Sequence, residues 1–102
     1  MKTLTRATFA TLTLLCLAIP LQAQDSSSIM PDLVYGHKSG MALTLDVFRP
    51  ASPNGASVLN MVSGGWVSRW RDPEQAQAGY QALLDQGFTV FAIRHGSSPR
   101  FN

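Results

Sequence analysis

The longest apolar stretch lies near the start of the chain, where Ala7–Ile19 runs for 13 residues without a charge. Lys2 and Arg6 precede or border it, Pro20 breaks it, and Ala23 stands just before Gln24. A short apolar run behind a positive start and ahead of a small residue predicts a secretory signal over residues 1–23, hence a secreted or periplasmic protein. A bilayer crossing takes roughly 20 apolar residues, so the run is short for the alternative, an anchor that stays uncleaved. Residues 24–31 begin polar and small and read as a flexible lead-in to a domain over 32–102.

Beyond the lead-in the period of the pattern changes. Asp32–Tyr35 predicts a short strand, and Gly36-His37-Lys38-Ser39-Gly40 a turn with glycine at both ends. In Met41–Phe48 the apolar Met41, Leu43, Leu45 and Val47 alternate with a face that holds Thr44 and Asp46, the period-two pattern of a half-exposed strand. The two strands together predict an antiparallel hairpin. After the loop Pro50–Gly55 comes Ser57–Val62, apolar on both faces and stopped by Ser63-Gly64-Gly65. A helix is predicted over 73–86: Asp72 can cap it, Pro73 fits its first position, and Gln75 has capping-box spacing. Ala76, Tyr80, Leu83 and Leu84 form its apolar stripe, and Gly87 suits the left-handed residue that closes a helix. Phe88–Ile93 follows, nearly all apolar, as strands of parallel sheets are.

These elements predict an α/β fold in which an antiparallel hairpin leads into a right-handed βαβ unit. A sheet of this kind buries apolar side chains on both faces, yet only one helix is predicted. At about 25 cal/mol per Å² of apolar surface, a bare face forfeits several kcal/mol. The expectation is therefore an incomplete domain, whose bare sheet face implies a missing C-terminal half or a partner chain.

Charge changes the picture only by subtraction. The chain carries 8 Lys+Arg against 6 Asp+Glu, with a pI near 9.1. Without residues 1–23 the basic residues are Lys38, Arg49, Arg69, Arg71, Arg94 and Arg100, balanced by Asp25, Asp32, Asp46, Asp72, Glu74 and Asp85. A neutral chain with no cationic cluster is not expected to bind nucleic acid, nor membrane once the signal is cleaved. The single cysteine, Cys16, lies in the signal, which excludes a disulfide framework and a cysteine zinc site.

Candidate chemistry gathers after the strand Ser57–Val62. Ligands of open α/β sheets bind at the carboxyl ends of strands, and Gly64 and Gly65 would let the backbone there turn and bare its N–H groups. Such amides can stabilise an oxyanion during acyl transfer; a tight turn that simply needs glycine is the other reading. Neither G-x-G-x-x-G nor G-x-x-x-x-G-K occurs, and the helix starts too late for a phosphate loop, so no nucleotide cofactor is expected. His37 falls in a turn and is expected in solvent. His95 follows the last strand, where it could touch a substrate. The two histidines have no carboxylate at supporting spacing, so no metal site is expected. Trp66 and Trp70, interleaved with Arg69 and Arg71, either stack on a sugar or aromatic acid or leave Trp66 packed under the glycine loop with the arginines solvated. Ser63, Ser97 and Ser98 lack a base at any recognisable spacing and are not expected to be nucleophiles.

Val62-Ser63-Gly64-Gly65-Trp66-Val67-Ser68 resembles the His-Gly-Gly-x-Trp loop of α/β-hydrolase esterases, the branch holding acetyl- and feruloyl-type esterases and kynurenine-formamidase-like enzymes. Leu43-Thr44-Leu45-Asp46-Val47-Phe48-Arg49-Pro50 is similar to the opening-hairpin run of that family, and Gly87-Phe88-Thr89-Val90-Phe91-Ala92-Ile93 to its following strand, with Pro99 in a similar place beyond. The resemblance covers roughly residues 32–100. It implies a small-molecule carboxylic ester as substrate, no cofactor, an oxyanion hole from the amides of Gly65 and Trp66, and a turn shaped by Gly64. Two departures stand out: Val62 occupies the place of the family's His, and Arg94-His95-Gly96 that of Asp-Tyr-Arg. The nucleophile elbow G-x-S-x-G is absent from 1–102. The resemblance therefore implies the N-terminal part of a secreted serine hydrolase, with the oxyanion loop but without the triad and inactive by itself. A non-catalytic binding module or a truncated gene product are the alternatives.

Overall fold

A computed structural model describes residues 26–101, so the predicted signal lies outside the described residues. Along these the chain forms β1 (Ser28–Lys38), β2 (Met41–Arg49), β3 (Ser57–Val62), α1 (Pro73–Asp85) and β4 (Thr89–Arg94). The four strands make one mixed sheet in the order β1-β2-β4-β3, antiparallel at β1–β2 and β2–β4 and parallel at β4–β3. The small α/β fold and its hairpin-then-βαβ order agree with the sequence pattern.

β1 is longer than expected. It starts at Ser28, whose partner is Arg49, so Ser28–Pro31 belong to the sheet and not to a flexible lead-in. Register shifts between Met30 and Leu33 and between Val34 and Gly36 break its alternation, which is why the pattern of apolar residues shows only its middle. The turn contracts to Ser39-Gly40, both at positive φ (51° and 75°), between the paired Lys38 and Met41. Two residues of that conformation match the twist of a hairpin.

Helix α1 begins where its cap predicts. Asp72 Oδ1 accepts from the Glu74 amide at 3.0 Å, and Gly87 follows the helix at φ +88°. The reciprocal bond expected of Gln75 does not occur among the described residues. The helix lays Ala76, Tyr80, Leu83 and Leu84 on Phe48, Val90 and Ala92, with Ile29, Val58 and Val62 at the margin. Phe48 and Val90 are fully buried. The Phe48 and Tyr80 rings sit 5.0 Å apart, and Tyr80 Oη accepts from Asn60 Nδ2 at 2.7 Å.

Opposed partners share a sheet face, so the register assigns both. Phe48, Val90, Val58, Asp46, Ala92 and Asn60 lie on the helix side. Leu45, Val47, Phe91, Ile93, Leu59 and Met61 lie on the other, and among the described residues no helix covers them. Leu59 is 68% exposed and Met61 53%.

This assignment corrects the reading of β2. The face with Thr44 and Asp46 was expected to meet solvent, but it is the helix side, and Asp46 is buried. What makes that tolerable is Arg94, on the neighbouring strand. Its Nη1 lies 2.6 Å from Asp46 Oδ2, Nη2 lies 2.9 Å from Asp46 Oδ1 and 2.7 Å from Asp32 Oδ1, and Nε donates to Thr44 Oγ1 at 3.1 Å. Asp32 takes part because it sits at the first register shift of β1 with φ +53°, and its amide also donates to Asp46 Oδ1 at 2.9 Å.

Candidate functional site

The carboxyl ends of β3 and β4 lie side by side because the two strands are parallel, with Val62 opposite Arg94. Each strand then leaves the sheet into a short irregular segment, residues 63–72 after β3 and 95–101 after β4.

After β3 the chain makes a miniature hairpin. The Gly64 amide donates to Val67 O at 2.9 Å and the Val67 amide to Gly64 O at 3.1 Å. The residues between, Gly65 and Trp66, have φ of +58° and +62°. Two consecutive positive φ values are the pattern of a type I′ turn. Gly65 takes this conformation without cost, whereas for Trp66 it is strained by roughly 1–2 kcal/mol. With the Gly64 and Val67 amides engaged, the amides of Gly65 and Trp66 have no acceptor among the described residues. These are the two amides that the resemblance implies as donors; Gly64 enters the turn as the residue paired with Val67, while the left-handed positions fall on Gly65 and Trp66.

Trp66 is 80% exposed, which corrects the expectation of an indole packed under the glycine loop. Trp70, Arg69 and Arg71 are exposed as well. They border a cavity of about 490 Å³ whose other walls include Ser63, Asn60, Tyr80 and Arg94. That volume is within the range of small-molecule sites.

The segment after β4 contains the group that sequence reading missed in combination. His95 Nε2 lies 2.8 Å from Ser63 Oγ, and His95 Nδ1 lies 2.7 Å from Gly96 O. Because Gly96 O can only accept, the proton of a neutral ring belongs on Nδ1, and Nε2 accepts from the Ser63 hydroxyl. The expectation that Ser63 lacks a basic neighbour is thus overturned: 32 residues separate the two in sequence, and the parallel register joins them. Ser97 Oγ accepts from the Ser68 amide at 2.9 Å and donates to Ser68 O at 3.2 Å, while the Ser98 amide donates to Trp66 O at 3.0 Å. His37 lies exposed near the tip of β1, paired with Ala42. Among the described residues no group of three His, Cys, Asp or Glu could hold a metal ion, and no helix is long and apolar enough to cross a membrane.

Buried charge lies just beneath. Burial by itself raises the Asp46 pKa, but the hydrogen bond from Arg94, the Asp32 amide and the Arg94 charge together outweigh it and hold the carboxyl below its ordinary value. The hydrogen bond to Asp46 raises the Arg94 pKa in turn, against the opposing effect of burial. Both groups are charged at neutral pH, so Arg94 is occupied as a structural cation.

No family model and no curated protein matches this chain.

Proposed function

We propose that this chain is the N-terminal part of a secreted serine hydrolase acting on small carboxylic esters, to which it contributes the oxyanion loop. The observation that carries this reading is the Gly64–Val67 turn, in which the Gly65 and Trp66 amides have no acceptor among the described residues, at the carboxyl end of a parallel strand. Paired amides held in place before the reaction are what a developing oxyanion requires, and removing one such donor typically costs about 10²–10³ in kcat. The resemblance of Val62–Ser68 to an esterase oxyanion loop supports the same reading, since the contacts there come from the backbone and survive Val62 in place of His. The test is hydrolysis of p-nitrophenyl acetate by the protein as secreted from its source, with a fluorophosphonate as inhibitor. Turnover that the inhibitor abolishes is expected; a secreted protein that hydrolyses no ester overturns the proposal.

One observation favours a second reading, a module that binds without catalysis. The exposed Trp70 between Arg69 and Arg71, at the cavity of about 490 Å³, suits an aromatic acid or acidic sugar. Saturable binding of such an acid with no ester turnover would select it.

A further inference from the structure

We propose that His95 is a positioning residue which, through Ser63, sets the place of the Gly65 and Trp66 amides; its catalytic consequence rests on the hydrolase reading. The turn has little packing to hold it. Gly64, Gly65 and Trp66 are all exposed, and a Cβ built on either glycine would meet nothing within 4 Å. The two bonds inside the turn fix its shape but not its position over the sheet. Position comes from the segment after β4. His95 holds the chain ahead of the turn through Ser63 Oγ, while the Ser98 amide on Trp66 O and Ser97 on Ser68 hold it within and behind.

His95 itself stands on a rigid footing. It follows Arg94, which is buried and bonded to Asp46, Asp32 and Thr44. Its Nδ1 is engaged by Gly96 O, which fixes the ring's hydrogen-bond direction toward Ser63. Phe101 packs directly on Gly96, where a Cβ would lie 2.4 Å from its Cγ and would have to displace the ring. A run of fixed contacts thus leads from the buried Arg94 to the outer turn. Val62 gives the loop no histidine of its own, and the segment after β4 supplies one in His95.

A donor displaced by about 1 Å can cost on the order of 10²-fold in rate, and oxyanion donors act on the transition state rather than on bound substrate. The experiment compares wild type, His95→Ala and His95→Gln of the secreted protein. It reads the ¹H–¹⁵N positions of the Gly65 and Trp66 amides and the kinetics on p-nitrophenyl acetate per fluorophosphonate-titrated site. In His95→Ala both amide signals are expected to move, and kcat to fall by about 10–100-fold with KM nearly unchanged. His95→Gln, which keeps a hydrogen-bonding group within reach of Ser63, is expected to recover most of the loss. Counting only titrated sites removes any effect of lost fold. Unmoved amides overturn the proposal, as does fluorophosphonate attached to Ser63 itself, which would make Ser63 a nucleophile and His95 its base. Amides that move in a protein whose wild type hydrolyses no ester uphold the positioning and overturn the hydrolase reading.

Discussion

Asp46 shows how one residue can mislead a periodic pattern. Polar alternation in Met41–Phe48 places it opposite the apolar positions, and the rule that polar side chains face water then turns the strand the wrong way round. The residue that reverses the outcome is Arg94, 48 positions away, whose guanidinium takes both Asp46 oxygens. Arg94→Met would strand a buried carboxylate, and the expected loss is about 3–5 kcal/mol in urea denaturation. The same pair sets a pH limit. The Asp46 pKa is lower in the folded chain than in the unfolded one, so its contribution is complete above the unfolded value, about 4, and is lost as pH falls through the lower folded value. Stability followed by circular dichroism should therefore decline below about pH 4, and Asp46→Asn should flatten that decline while lowering stability at neutral pH. Ser63 and His95 are the same lesson at the candidate site. Each is unremarkable in its own stretch of sequence, and only adjacent parallel strands make them a pair.

Among the elements, those with local punctuation were the most legible. β3 spans Ser57–Val62 as its apolar run and its glycine stop predict, and α1 starts after its Asp72 cap. Gly87 closes the helix for the stated reason and for a second that no local pattern carries. A Cβ at Gly87 would lie 2.6 Å from Ser52 O, in the loop before β3. Gly87→Ala therefore meets both a disfavoured φ and a backbone collision, and should cost at least about 1–2 kcal/mol, read as a lowered melting temperature. β1 was legible only in part because register shifts destroy the period-two signal on which strand reading depends. The Ser39-Gly40 turn shortens the predicted loop for a related reason: pairing with β2 extends along residues whose polarity alone suggests a turn.

For the whole molecule the sheet face that no element covers among the described residues dominates. Leu59 and Met61 stand exposed on it beside the half-buried Leu45, Phe91 and Ile93 and the buried Val47, and the helix lies on the opposite side. Apolar surface of this extent attracts other apolar groups. The chain over the described residues should bind a hydrophobic dye such as anilinonaphthalene sulfonate, and Leu59→Ser with Met61→Ser should lower the fluorescence at little cost in melting temperature, since both side chains are mostly in solvent. A dye signal unchanged by the double substitution would mean that this face is not what the dye finds. The sequence by itself determined the kinds of element, their order, the helix ends, and a glycine turn after β3, because propensity, capping and period act over a few residues. The tertiary structure alone decided which face of β2 meets the helix, that Arg94 is committed to Asp46, and that His95 reaches Ser63. Those outcomes depend on strand register between segments dozens of residues apart, and no local pattern encodes them.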